Sequence, residues 1–151
     1  MQTNIDFVEF FKSLNTHSVR YVVVGGYAMI HHTKPRATED IDILVEATPE
    51  NAQRLMAALA EFGFGGIGLK ESDFTTPKQT VQLGYPPNRI DINTSITNVE
   101  FGDAFPRRSE STYGDVPVAY LSVADLLKNK EAVGRPKDLL DVELLKTSFR
   151  K

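Results

Sequence analysis

Two aspartates separated by one isoleucine, Asp40 and Asp42, open the apolar run Asp-Ile-Asp-Ile-Leu-Val, and a third, Asp91, stands between Ile90 and Ile92. Side chains alternate along a strand, so residues i and i+2 share a face. In an extended chain Asp40 and Asp42 point one way, while Ile41 and Ile43 point the other way, into a core. If the strands carrying Asp42 and Asp91 are neighbours, three carboxylates converge on one spot. Like charges that close raise one another's pKa values unless a cation holds them, and an oxygen-only cluster of this kind suits Mg²⁺ or Mn²⁺. The competing reading is two solvated acids at a strand start and an unrelated third. Upstream, Val-Val-Val-Gly-Gly-Tyr-Ala ends a strand in Gly25 and Gly26 and runs into a helix. Glycines there let the backbone approach a phosphate, and a helix N-terminus offers free N–H groups and positive potential. A Gly-Gly pair alone is equally a plain turn. The order of strand, Gly-Gly, helix, Asp-Ile-Asp strand and later aspartate is more specific than any of its parts.

These residues need elements to hold them. Ile5, Phe7, Val8, Phe11 and Leu14 recur near helical spacing, so residues 4–17 read as a helix. Residues 20–26 read as a buried strand running into the glycine turn, and the short helix that follows is broken by Pro35. Thr48 is placed as N-cap, Pro49 as first helical residue and Gly63 as stop of the clearest helix in the chain. Residues 66–72, 78–84 and 88–95 read as strands, and residues 97–114 as a loop, because Gly102, Pro106 and Gly114 sit among polar residues. Residues 116–122 read as a final strand. Ser122 and Asp125 form an N-terminal box for a helix that Gly134 ends, and Pro136 opens the last helix. The expected fold is α/β, a mixed β-sheet flanked by helices with two helices at the C-terminus.

Composition limits the possibilities. A chain of 151 residues is one domain's worth, expected to span 1–151. With 41% hydrophobic and 25% charged residues it can bury a core, and it has no apolar run of membrane-spanning length. A net charge of −3 gives no broad basic field for nucleic acid. The N-terminal stretch carries acids and lacks a basic leader followed by an apolar segment. With no cysteine, disulfides and thiolate metal sites are excluded, and the cytoplasm is the expected compartment.

The pattern of Gly25-Gly26, a spacer, Asp40-Ile41-Asp42 and a later Asp91 resembles the nucleotidyltransferase superfamily. More narrowly, the segment from Gly25 to Val45, together with Lys-Asn-Lys-Glu-Ala-Val-Gly-Arg-Pro-Lys-Asp over 128–138, is similar to small bacterial AbiEii-type nucleotidyltransferases. The resemblance covers most of the chain. It departs from the polymerase-like pattern at Gly26 and Tyr27, where many members carry a phosphate-binding serine. It implies a polymerase β-like core and an NTP substrate. Divalent Mg²⁺ or Mn²⁺ is implied at Asp40, Asp42 and Asp91, with Asp91 also helping to deprotonate an attacking hydroxyl, and Gly25 and Gly26 as phosphate-binding backbone. The acceptor is left open among protein, RNA and small molecule. The resemblance also admits a different class: a nucleotide-binding component of a toxin–antitoxin or phage-defence pair, acting through a cognate partner with little turnover.

Further charged residues surround this pattern. Arg36 and Thr38, just before the Asp-Ile-Asp strand, are candidates for steadying the site or touching phosphate, against the alternative of an exposed loop. Lys130 and Lys137 flank the turn between the last helices and are candidates to reach a triphosphate, as the resemblance suggests; ordinary surface lysines are the alternative. Asp138 and Asp141 are placed to buttress such a cation, although a carboxylate in a helix's first turn is favourable without function. His31 and His32 are adjacent on a helix and so are not expected to act as a metal pair. Arg107 and Arg108 read either as an acceptor-binding loop or as a solvated basic loop.

Overall fold

In the structure, a computed structural model that describes residues 3–149, helix α1 (Ile5–Thr16) begins at Asn4, whose side chain accepts hydrogen bonds from the N–H groups of Asp6 and Phe7. Its spacing brings Phe7, Phe10, Phe11 and Leu14 onto one face, where all four are fully buried. Burying each of these side chains is worth about 1.5–3 kcal/mol relative to exposure. Strand β1 (Tyr21–Val24) runs directly into helix α2 (Gly25–His32). Strand β2 (Asp40–Val45) returns antiparallel beside β1. Helix α3 (Pro49–Leu59) starts at the expected Thr48 cap, whose hydroxyl accepts from Asn51 N–H at 3.2 Å. It continues as a π-turn over Ala60–Phe64, within which Gly63 takes φ 116°.

Strands β3 (Thr80–Leu83) and β4 (Arg89–Asn93) form an antiparallel pair. A one-turn helix α4 (Phe101–Ala104) precedes the hairpin of β5 (Ser109–Tyr113) and β6 (Val116–Tyr120). Helices α5 (Val123–Val133) and α6 (Pro136–Phe149) close the described chain, α5 beginning at the expected Ser122 cap. The six strands form one mixed sheet in the order β3-β4-β2-β1-β6-β5, with β4 parallel to β2 and β6 parallel to β1. Ile41, Ile43, Ile90 and Ile92 share one core with α1 and α3. On the other face, Val22, Val24 and Leu44 share a second core with residues of α2, α4, α5 and α6. No described helix is long and apolar enough to cross a membrane.

Two expectations are corrected. Residues 66–72 form no strand: residues 66–70 are turn, bend and irregular chain, and residues 71–72 open a 3₁₀ turn over Glu71–Phe74 that buries Phe74. Gly65, Gly66 and Gly68 offer no side chains for the cross-strand packing on which a sheet depends. Residues 97–114 are not simply loop, because they hold α4, a 3₁₀ turn over Phe105–Arg107 and strand β5. β5 lies at the sheet edge and buries only Tyr113 of its five residues, so polar residues suffice elsewhere along it.

Candidate active site

The register of β2 against β4 sets Asp40 beside Arg89 and Asp42 beside Asp91. Alternation then puts Asp40, Asp42, Arg89 and Asp91 on one face of the sheet, at the end where β1 gives way to α2. The expected meeting of three carboxylates on neighbouring strands is therefore present. Asp91 is buried, while Asp40 and Asp42 are half-buried. Burial pushes the Asp42 carboxyl up to about 6, and the neighbouring Asp91 and Asp40 charges push the same way.

The two glycines have specific local causes. Gly25 takes φ +66°, in the left-handed region that favours glycine, and a Cβ there would lie 2.8 Å from Asp42 Oδ2. A Cβ on Gly26 would lie 2.9 Å from Thr38 Oγ1. Strand β1 thus turns into α2 pressed against the Asp42 carboxylate, and no side chain caps the first turn of α2.

The carboxylates are not left to repel one another. Arg89 lies two residues before Asp91 on the same face and supplies one opposing charge. Its Nε donates to Asp91 Oδ1 at 3.0 Å, and its Nη2 donates to Asp91 Oδ2 at 3.1 Å and Asp40 Oδ2 at 2.7 Å. Sequence reasoning passed over Arg89, although its i−2 spacing to Asp91 was a readable signal. Among the described residues, no group of three or more His, Cys, Asp or Glu side chains is arranged as a ready metal cage. The donor set nonetheless fits a hard divalent cation. It is made of carboxylate oxygens, and Asp40 Oδ1 is buried without a hydrogen-bond partner.

A cleft of about 400 Å³ adjoins the cluster, with Gly25, Gly26, Thr38 and Asp42 on one side and the α5–α6 turn on the other. It gathers Arg36, Lys130 and Lys137, as anticipated, and adds Arg135. Several of these cations are held in place by ion pairs. Lys130 Nζ is 2.9 Å from Asp141 Oδ2 and 3.6 Å from Asp138 Oδ1; Arg36 Nη2 is 2.7 Å from Asp141 Oδ1, and Arg135 Nε is 2.6 Å from Asp138 Oδ2. Asp138 and Asp141 therefore buttress cations across the turn. Burial pushes the Asp141 carboxyl up, but Arg36 and Lys130 outweigh it and hold that carboxyl below its ordinary range; Arg135 chiefly does the same for Asp138. The four basic side chains of the cleft, Arg36, Lys130, Arg135 and Lys137, outnumber its three lining carboxylates, Asp42, Asp138 and Asp141, by one formal charge.

The remaining candidates lie outside this cleft and bond elsewhere. His31 and His32 come within 4.6 Å ring to ring, closer than their adjacency on a helix suggested, but their nitrogens bond to Ser109 Oγ and the Leu121 carbonyl. Arg107 holds the buried Asp125 through two hydrogen bonds, and Arg108 lies over the Phe105 ring at 4.0 Å. Neither arginine lines the cleft.

The match to known proteins agrees with this geometry. A family model described as a nucleotidyltransferase of unknown function (DUF6036) matches residues 5–147. No curated protein matches the chain. Among solved structures, the chain is similar to a crystal structure of ANT(2″)-Ia in complex with adenylyl-2″-tobramycin. The TM-score is 0.53 and the identity 17%, over 95% of this chain and 87% of that one. It is also similar to a solution structure of the antibiotic-resistance factor ANT(2″)-Ia, with TM-score 0.57 and 15% identity over 96% of this chain and 83% of that one. At such identities the likeness establishes a shared fold.

Proposed function

The chain belongs to the DUF6036 family of nucleotidyltransferases, and from that premise we propose that it moves a nucleoside monophosphate from an NTP to a hydroxyl of a protein, RNA or small-molecule acceptor, with a divalent metal at Asp40, Asp42 and Asp91. The observation that carries this reading is the juxtaposition of those carboxylates on neighbouring strands with a cationic cleft at Gly25 and Gly26. The triphosphate lies in the cleft, against the uncapped first turn of α2 and the side chains of Arg36, Lys130, Arg135 and Lys137. Thr38 packs against Gly26 and keeps that turn in place. When bound, Mg²⁺ or Mn²⁺ supplies charge neutralisation for the phosphates and orientation for an in-line displacement. Asp91 takes the proton of the acceptor hydroxyl. The hydroxyl oxygen forms a bond to the α-phosphorus, the bond from that phosphorus to the bridging oxygen breaks, and pyrophosphate leaves with the electron pair.

Within the superfamily we place the chain nearest the small bacterial AbiEii-type proteins. In support, both segments that carry that resemblance, around Gly25–Asp42 and Lys130–Asp138, line the one cleft. We also read 1–151 as a single domain and the cytoplasm as its compartment, on its length and its lack of cysteine.

The test is mass spectrometry of protein, RNA and metabolite fractions after incubation with each NTP, alongside calorimetric NTP affinity, for wild type and Asp91→Asn. The expected outcome is one fraction gaining a nucleoside monophosphate with wild type. Asp91→Asn should bind NTP within a few-fold of wild type and lose transfer by about 100-fold or more, since a proton acceptor acts mainly in the transition state. A variant with full transfer overturns the role of Asp91. Wild-type protein that binds NTP and modifies no fraction favours the partner-dependent toxin–antitoxin or phage-defence reading instead.

A further inference from the structure

We propose that Arg89 is an exchangeable counter-ion: its guanidinium closes the carboxylate cluster in the metal-free protein, and a divalent cation enters as that fork releases Asp40 and Asp91. This deepens the metal reading above and rests on it.

Three observations carry the inference. First, the fork spans the two strands. One arginine on β4 bonds both oxygens of Asp91 and one oxygen of Asp40, all three bonds being 2.7–3.1 Å long. A metal held between Asp40 and Asp91 needs the same oxygens at a position where it would lie against the guanidinium, and the two cations repel, so guanidinium and metal compete for one position. Second, the fork completes the cluster only in part. Asp40 Oδ1 stays buried with no donor, and Asp42 receives no hydrogen bond from Arg89. A single planar cation with donors in a fixed fork cannot reach every oxygen, whereas a spherical divalent ion binds wherever oxygens converge. Third, the guanidinium has a way out. The Arg89 side chain is 29% exposed, against 9% for the Asp91 side chain it bonds. It can therefore turn into water while the carboxylate stays in place.

The alternative is a fixed scaffold, in which Arg89 keeps its bonds and any metal binds beside it. The two differ in metal affinity. If the closed fork holds about nine-tenths of the metal-free population, apparent affinity is weakened about tenfold relative to a site without it. Mn²⁺ binding is to be measured by electron paramagnetic resonance for wild type, Arg89→Met, Arg89→Lys and Asp42→Asn, with folding checked by circular dichroism. The expected result is binding about tenfold tighter in Arg89→Met, intermediate in Arg89→Lys and lost in Asp42→Asn. Equal or weaker binding in Arg89→Met overturns the counter-ion role while leaving the metal reading intact. Absence of Mn²⁺ binding in both wild type and Arg89→Met, or binding that survives Asp42→Asn, removes the metal reading and this inference together. A second measurement uses wild type alone, so that it does not depend on a variant's folding. The Arg89 Nε–H resonance should be protected from solvent exchange without metal and lose that protection on saturation with Mg²⁺. Protection that persists at saturation overturns the proposal.

Discussion

At the scale of single residues, Gly25 and Gly26 are constrained in different ways. Gly25 has both a left-handed backbone and the Asp42 carboxylate against it, whereas for Gly26 the nearest obstacle is the Thr38 hydroxyl. Gly25→Ala should cost about 1–2 kcal/mol from the left-handed conformation alone, and it should displace Asp42 as well. Gly26→Ala meets only a side-chain atom, so Thr38→Ala should restore part of its lost stability and none of that lost in Gly25→Ala. Urea unfolding of the three single and two double variants checks this coupling, since only groups in contact depart from additivity. Equal rescue of both glycine variants, or of neither, refutes the packing described. Much of this site was legible in the sequence. A two-residue period placed Asp40 and Asp42 on one face, and the flanking isoleucines marked Asp91 as a strand residue. Arg89 stands out less because a lone arginine at a strand start is an ordinary surface residue, although the same period puts it on the face of Asp91. Arg135 was missed because its place in the cleft depends on how α6 docks, which no local pattern encodes.

At the scale of elements, buried Asn51 at the start of α3 ties the helix to two strands. Its amide donates to the carbonyls of Arg20 and Glu46 at 3.1 and 2.9 Å and accepts from Arg20 N–H at 2.8 Å. Those groups flank the start of β1 and the end of β2, so one side chain fixes the far end of the strand pair whose other end carries Gly25 and Asp42. Asn51→Ala removes three hydrogen bonds to part-buried backbone groups, which costs about 1–3 kcal/mol. The melting temperature should fall by roughly 3–10 °C in a chain of this size. A fall of under about 1 °C in calorimetry would show that water replaces the amide. Helices were legible wherever capping chemistry announced them, at Thr48 and Ser122, because a cap is a local hydrogen bond between near neighbours. Strand β5 was not, because an edge strand is defined by its partner: Ser-Glu-Ser-Thr-Tyr pairs with β6 without needing an apolar face of its own. Residues 66–72 show the opposite case: isolated apolar residues among glycines look like a strand in sequence but have no strand partner among the described residues.

At the scale of the whole molecule, the second face of the sheet depends on α5 and α6, and these helices are pinned by carboxylates that must stay ionised. Asp125 is fully buried; burial pushes its pKa up, but the Arg107 fork and the Ser122 hydroxyl outweigh that and hold it below the ordinary carboxylate range. Asp138 and Asp141 are lowered as well, by Arg135, Lys130 and Arg36. A carboxylate whose folded pKa lies below its unfolded value of about 3.9 binds fewer protons folded than unfolded. Its contribution is therefore complete above that unfolded value and is lost as pH falls through the depressed folded one. The stability contributed by these three groups should be constant near neutral pH and fall below about pH 4, where their unfolded forms begin to take up protons. Asp125→Asn removes one such group: it should melt lower than wild type at pH 7, and the gap should narrow as the pH falls towards 3. Calorimetry across that range, at one ionic strength to keep surface screening constant, checks it. A gap that stays constant with pH would mean that Asp125 contributes packing and hydrogen bonding but no charge, and would leave acid sensitivity to the Asp138 and Asp141 pairs that line the cleft.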